Sequence, residues 1–188
     1  MKRMLLACLL CLSSISASAL ELQGVKLDEQ VQVADQKLVL NGAGVRSIFF
    51  IKMYVAGLYL AGKQTSTEAV MADANAKRIA LNVVVDDADT EHFLKGFRKG
   101  IEKNHSEKEM AELQVRLDTF IHLFDTVKAV KKGDVIAFDW MPGNGTRVTF
   151  NGTELGKVAG EDFYRALLSI WIGGKPVSSD MKKGLLGG

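Results

Sequence analysis

What the sequence lacks narrows its possibilities first. Only two of its 188 residues are cysteine, Cys8 and Cys11. Both fall in a stretch that reads as a secretory signal peptide: Lys2 and Arg3, an apolar run from Met4 to Leu12, and a small-residue end at Ala17-Ser18-Ala19. Cleavage near Ala19 predicts a periplasmic or secreted protein without a thiol for a disulfide, held together by packing alone. The apolar run is too short to cross a bilayer. Histidine is sparse, with His92, His105 and His122 scattered along the chain. The three or four convergent ligands that zinc requires do not stand out, so neither a metal nor a cofactor is expected. There is no Gly-x-Ser-x-Gly nucleophile elbow, and Gly42-Ala43-Gly44 lacks the third glycine and following helix of a dinucleotide-binding loop. An excess of one charge is missing as well. The full chain has 24 Lys+Arg against 22 Asp+Glu, and the leader holds Lys2 and Arg3, so cleavage leaves 22 against 22. The basic clusters, at Lys95, Arg98 and Lys99 among others, alternate with acids and read as solvated faces, so nucleic acid is not an expected partner. Without repeats or low-complexity linkers, residues 20–188 read as one domain following a leader at 1–19.

What is present is a succession of patterned segments. Residues 20 to 40 alternate polar and apolar, predicting a β-hairpin with its turn near Ala34-Asp35. A long strand is expected from about Ile48 to Leu60, a weak helix over Ser66 to Ala76, and a central strand over Arg78 to Val85. Asp86-Asp87-Ala88-Asp89 reads as a polar turn whose acids cap the next helix rather than bind a metal. That helix carries Phe93, Leu94, Phe97 and Ile101. Ser106-Glu107-Lys108-Glu109 is a capping box for another, striped with Leu113, Leu117, Phe120 and Phe124. Strands at Val135 to Trp140 and Arg147 to Phe150 flank Gly143-Asn144-Gly145, a tight-turn signal. A strong helix covers Glu161 to Trp171, and the tail from Gly184 to Gly188 is expected to be mobile. Strands flanking a block of helices give an α+β fold.

Two stretches carry a resemblance. The first is Asn41-Gly42-Ala43-Gly44-Val45-Arg46, followed by Phe50-Ile51-Lys52 and Gly57-Leu58-Tyr59-Leu60. The second is Ile172-Gly173-Gly174 with Val177-Ser178-Ser179-Asp180-Met181-Lys182. Together they resemble the signature of the chalcone isomerase family. That resemblance implies a large antiparallel sheet packed on one face by a layer of helices. It also singles out Arg46, which matches the arginine that contacts the substrate anion in the isomerases and a carboxylate in the plant fatty-acid-binding branch. A guanidinium fork suits either anion. Tyr54 falls where the isomerases carry a threonine, and Ile170 where they carry a second hydroxyl residue. The catalytic hydroxyl network is therefore not reproduced. The fatty-acid-binding relatives do pair their arginine with a tyrosine, and a phenol can donate a second hydrogen bond to a carboxylate.

The resulting expectation is an exported, non-catalytic protein that binds a small apolar or amphipathic carboxylate such as a fatty acid, with Arg46 and Tyr54 at its polar end. One alternative is an isomerase or intramolecular lyase acting on an enone, with Arg46 as electrophile and Tyr54 as acid. A second is a structural or partner-binding protein with no occupied pocket. A structural arginine paired with an acid or a backbone carbonyl is the competing role for Arg46. Geometry poses a difficulty for the ligand reading. Eight residues of straight strand would hold Arg46 and Tyr54 roughly 26 Å apart at ~3.3 Å per residue. They meet only if the chain bends between them, near Arg46-Ser47 or through the Gly42-Ala43-Gly44 turn. By the two-residue period Lys52 would share a strand face with Tyr54.

Overall fold

The computed structural model describes residues 20–188, so the signal peptide expected at 1–19 lies outside the described residues. The chain opens with a small hairpin, β1 (Leu20–Leu22) and β2 (Val25–Leu27). Then come β3 (Gln30–Val33), β4 (Gln36–Ile48) and β5 (Ile51–Leu60), a short helix α1 (Thr67–Ala72), and β6 (Lys77–Val83). β7 (Asp87–Asp89) leads into α2 (Thr90–Glu102) and α3 (Glu107–His122), and β8 (Ala129–Lys131) pairs back with β7. β9 (Val135–Met141), β10 (Gly145–Phe150), β11 (Thr153–Val158), α4 (Glu161–Ile172) and α5 (Ser179–Leu185) complete it.

Seven strands form one curled antiparallel sheet in the order β11-β10-β9-β6-β5-β4-β3. The sheet is two-sided because alternate strand residues face opposite ways. Tyr54, Ala56, Leu58 and Leu60 of β5 join Ile79, Leu81, Ile136 and Phe138 in the main core under α2, α3 and α4. Val55, Tyr59, Ala80 and Ala137 point to the other face, where Leu27, Val33 and Leu38 cover them in a smaller cluster. α4 is buried nearly all round, from Phe163 to Ile172, as befits the helix at the centre of its layer. The caps act as the sequence suggests. Asp89 accepts from the amides of Glu91 and His92, and the Ser106–Glu109 capping box is complete.

Three expectations need correcting. The strand expected from about Ile48 to Leu60 is β5, but it begins only at Ile51, because the chain reverses at Phe49-Phe50, where Ile48 ends β4 and pairs with Ile51. Phe49 takes a φ of +53° there, a conformation a bulky side chain adopts at a cost. No Gly, Asn or Pro marks that turn, so an apolar run concealed it. Gly42-Ala43-Gly44 is not a bend but lies within β4, hydrogen-bonded to β5. The tail is not loose either. α5 packs on β4, with Met181 and Leu185 buried. At the expected tight turn, Gly143-Asn144-Gly145, the positive φ values fall on the two glycines.

Candidate functional site

The Asn41-to-Arg46 stretch docks α5. A Cβ on Gly42 would lie 2.1 Å from the Gly184 carbonyl oxygen, and one on Gly44 would lie 2.8–2.9 Å from Met181. These glycines exist so that helix backbone can rest directly on strand backbone. Asn41, 2 % exposed, is the extra residue of a β-bulge between Leu40 and Gly42. Its side chain donates to the Leu185 carbonyl at 2.7 Å and the Gln64 carbonyl at 2.9 Å, and accepts from the Gln64 amide at 2.7 Å. Arg46 stands at the far end of this seam, half-buried, with one Nη donating to the Val177 carbonyl at 2.7 Å just before α5.

The hairpin turn resolves the distance problem. Arg46 and Tyr54 are direct cross-strand partners of β4 and β5, which places their Cα atoms about 4.5–5.5 Å apart with both side chains on one face. A second register shift, between Arg46 and Ser47, inserts Met53 into β5 as an unpaired residue. That bulge breaks the two-residue period, so the expectation for Lys52 fails. Lys52 is exposed and bonds the Gln23 side chain in the β1–β2 turn instead.

Arg46 and Tyr54 both line one cavity of about 370 Å³ between the β4–β5 hairpin and α2, within the ~300–1,000 Å³ usual for small-molecule sites. Its walls are mostly apolar: Ile48 and Met53 from the hairpin, Phe93 and Phe97 from α2, Ile170 from α4, and Val177. Gly100 contributes by absence, since a Cβ there would lie 2.9 Å from Ile170 and push α2 off α4. Gly96 differs, because a Cβ there meets nothing within 4 Å and would project at the cavity wall. The floor is continuous with the aromatic core. The Tyr54 and Phe93 rings lie 5.7 Å apart, Phe93 and Phe97 5.2 Å, and Phe97 and Trp171 5.9 Å.

Tyr54 is 6 % exposed, and its hydroxyl accepts from the Trp171 indole N–H at 3.0 Å. With that lone pair occupied, the phenolic proton has no protein acceptor among the described residues and is free to donate. Burial pushes the phenol pKa to about 12, against the opposing effects of the Trp171 bond and the Arg46 charge. The group is therefore a proton-bearing donor at any physiological pH. Arg46 is similarly open. Among the described residues Arg78, Arg98, Arg116, Arg147 and Arg165 each meet a carboxylate, whereas Arg46 meets none. The cavity thus presents an unneutralised guanidinium and a phenol side by side at the head of an apolar chamber. No group of three or more His, Cys, Asp or Glu suited to a metal occurs among the described residues.

Sequence reasoning named Arg46, Tyr54 and Ile170, and the structure brings all three to one cavity. It missed Trp171 as the partner that orients Tyr54, having read it as helix core. It also missed Lys95, Lys99 and Lys103, which line the rim. Their i, i+4, i+8 spacing on α2 was the available signal.

Likeness to known proteins bears on fold and family. A family model described as chalcone isomerase-like matches residues 19–187. The structure is similar to the crystal structure of a fatty-acid binding protein of Arabidopsis thaliana, with a TM-score of 0.64 and 17 % sequence identity, covering 87 % of this chain and 92 % of that one. No curated protein matches the sequence significantly.

Proposed function

The chain belongs to the chalcone isomerase-like family, and on that premise we propose that it is an exported, non-catalytic binder of a small amphipathic carboxylate, a fatty acid being the leading candidate. The observation that carries this reading is Arg46, the one arginine among the described residues without a carboxylate, opening into an apolar cavity beside the Tyr54 phenol. A ligand carboxylate would accept from the guanidinium and from the Tyr54 hydroxyl while its alkyl chain lies along Phe93, Phe97 and Ile170. The structural likeness to a fatty-acid binding protein supports the same reading. Export rests on the leader pattern before Leu20, and N-terminal sequencing of the processed protein should begin at Leu20.

Non-catalysis rests on the cavity wall. Ile170 offers no hydroxyl, and Tyr54 stands where the isomerases carry threonine. Cyclising a 2′-hydroxychalcone requires both a phenolate and a developing enolate to be stabilised, so no turnover above background is expected. Stereoselective turnover abolished by Arg46→Ala would replace this reading with an enzymatic one.

The direct test is a fatty-acid titration. Arg46→Ala is expected to lose the charge-assisted bonds, about 1.5–3 kcal/mol or roughly tenfold to a hundredfold in affinity. Arg46→Lys should recover only part, because an ammonium lacks the fork. Gly96→Leu should block the chamber while favouring the helix by up to about 1 kcal/mol. Wild-type affinity in both Arg46→Ala and Gly96→Leu would refute the assignment.

A further inference from the structure

Among the described residues the two most exposed large apolar side chains, Phe49 and Phe50, sit together at the β4–β5 turn with Ile48 and Ile51 beside them. Phe50 is 100 % exposed, Phe49 93 %, Ile51 60 % and Ile48 38 %. Single exposed apolar residues need no explanation, but two adjacent phenylalanines at the apex of a hairpin, flanked by isoleucines, do. The turn is also a poor one for its own sake. A two-residue hairpin loop with positive φ favours glycine or asparagine, yet Phe49 holds a φ of +53°. Local strain in an exposed aromatic with no role in the core points to a use outside the fold.

The position of this tip suggests the use. Ile48 belongs to the mouth of the cavity that holds Arg46 and Tyr54, and Ile51 and Met53 border a shallow groove beside it. Across the mouth from the hairpin, α2 presents Lys95, Lys99 and Lys103, all exposed. Lys52 adds a further exposed cation next to the tip. Two of the nearby acids are engaged, and a third stands opposite a lysine. Glu91 pairs with Lys95 at 2.7 Å, Asp89 caps α2, and Asp87 faces Lys131 across the β7–β8 pair. Lys99 and Lys103 meet no carboxylate among the described residues. One rim of the mouth is therefore an aromatic wedge and the other a lysine row.

We infer that this rim is a membrane-docking surface. Phe49 and Phe50 enter the interfacial layer of a phospholipid bilayer, and Lys99 and Lys103 meet anionic headgroups, so that the cavity mouth faces the lipid from which an acyl ligand would come. Aromatic side chains partition favourably at that depth, and each lysine near an anionic surface adds attraction. The purpose of the docking rests on the fatty-acid reading of the cavity, but the docking itself is observable without ligand.

The test uses the processed protein and lipid vesicles with no added fatty acid. Trp140 and Trp171 are buried, so a Phe50→Trp variant carries one exposed reporter. Its emission is expected to shift to the blue on phosphatidylglycerol vesicles and the protein to float with them. Lys99→Gln and Lys103→Gln should each weaken that binding by roughly fivefold. Phe49→Gly/Phe50→Asn should abolish flotation while raising the thermal midpoint, because it relieves the turn. That combination separates docking from a structural role for the tip. An unshifted Phe50→Trp emission, or flotation unchanged in the double variant, would overturn the inference. So would a dimer of the wild type that the double variant dissolves, since the tip would then be covered by a second copy. Fatty-acid titration in vesicle-free solution tests the cavity separately, and either result can fail alone.

Discussion

Arginine is used in two opposite ways on the two faces of this sheet. On the face away from the helices, Arg78, Asp139 and Arg147 are register partners on β6, β9 and β10. Asp139 is fully buried, and Arg78 grips it with two bonds, Nε to Oδ1 at 2.5 Å and Nη2 to Oδ2 at 2.8 Å. Arg147 closes the other side with Nη2 2.7 Å from Oδ2. On the helix face, Arg46 donates once, to a backbone carbonyl, and the rest of its fork opens into the cavity. The first arrangement supplies its own anion and is a structural clasp. The second has no carboxylate among the described residues, which is the place the proposed ligand would fill. The same side chain is read as scaffold or as receptor according to whether the fold completes its hydrogen bonds.

The sharpest way to break that comparison is to remove the buried anion. Asp139→Ala leaves two guanidinium groups facing each other without a counter-charge, and loss of one partner of a buried ion pair costs about 3–5 kcal/mol. Urea unfolding should show that loss, while Arg46→Ala, which strands no buried charge, should move the midpoint little. If Arg46→Ala cost as much as Asp139→Ala, Arg46 would be a clasp too, and the receptor reading would fall with it.

The two regions were not equally legible in the sequence. The central strand at β6, the capped helices and the apolar stripe of α3 could be read because periodicity and caps are local. Arg46 was legible only through the family signature, and its glycines were misread as a turn. Their real reason, an α5 backbone so near that a Cβ on Gly42 would lie 2.1 Å from the Gly184 carbonyl oxygen, lies more than a hundred residues away in the chain. The hairpin reversal was hidden because Phe49-Phe50 carries no turn residue. The bulge at Met53 was hidden because a one-residue insertion leaves no compositional trace. Those two irregularities place Arg46 beside Tyr54 and send Lys52 elsewhere, so the site depends on the features a periodic reading is least able to see.

The tyrosines sharpen the comparison through pH. All three, Tyr54, Tyr59 and Tyr164, are buried, and burial is the main cause that raises each pKa, to about 12 for Tyr54 and Tyr59 and well above the ordinary value for Tyr164. The unfolded chain releases these protons near pH 10 and the folded protein later, so the folded state binds more protons in that interval. Stability is then unaffected below about pH 10 and falls as pH rises toward 12. Each tyrosine contributes a loss of up to about 1.4 kcal/mol for every pH unit crossed in that interval. Tyrosinate absorbance should therefore appear together with loss of near-ultraviolet dichroism, not before it. Absorbance that rises near pH 10 in a still-folded protein would show that these hydroxyls reach solvent. At neutral pH the Tyr54 proton remains in place, and Tyr54→Phe should cost about 1 kcal/mol of carboxylate affinity, the value of one neutral donor.

The smallest effect tests the apolar half of the site. If the alkyl chain lies in the cavity, each methylene added to a fatty acid should contribute up to about 0.8 kcal/mol, roughly fourfold in affinity, until the chain meets the floor formed by Phe97 and Ile170. The series should then flatten, because the aromatic core behind Phe97 is closely packed against Trp171 and Phe138 and does not yield cheaply to further volume. Phe97→Ala, by opening that floor, is expected to move the plateau to longer chains at some cost in stability. Arg46→Ala should lower the whole series by a constant factor without moving the plateau, since it acts on the head group alone. An Arg46→Ala series that changes slope, or a wild-type series with no dependence on chain length, would mean that the carboxylate and the apolar chamber do not hold the same molecule.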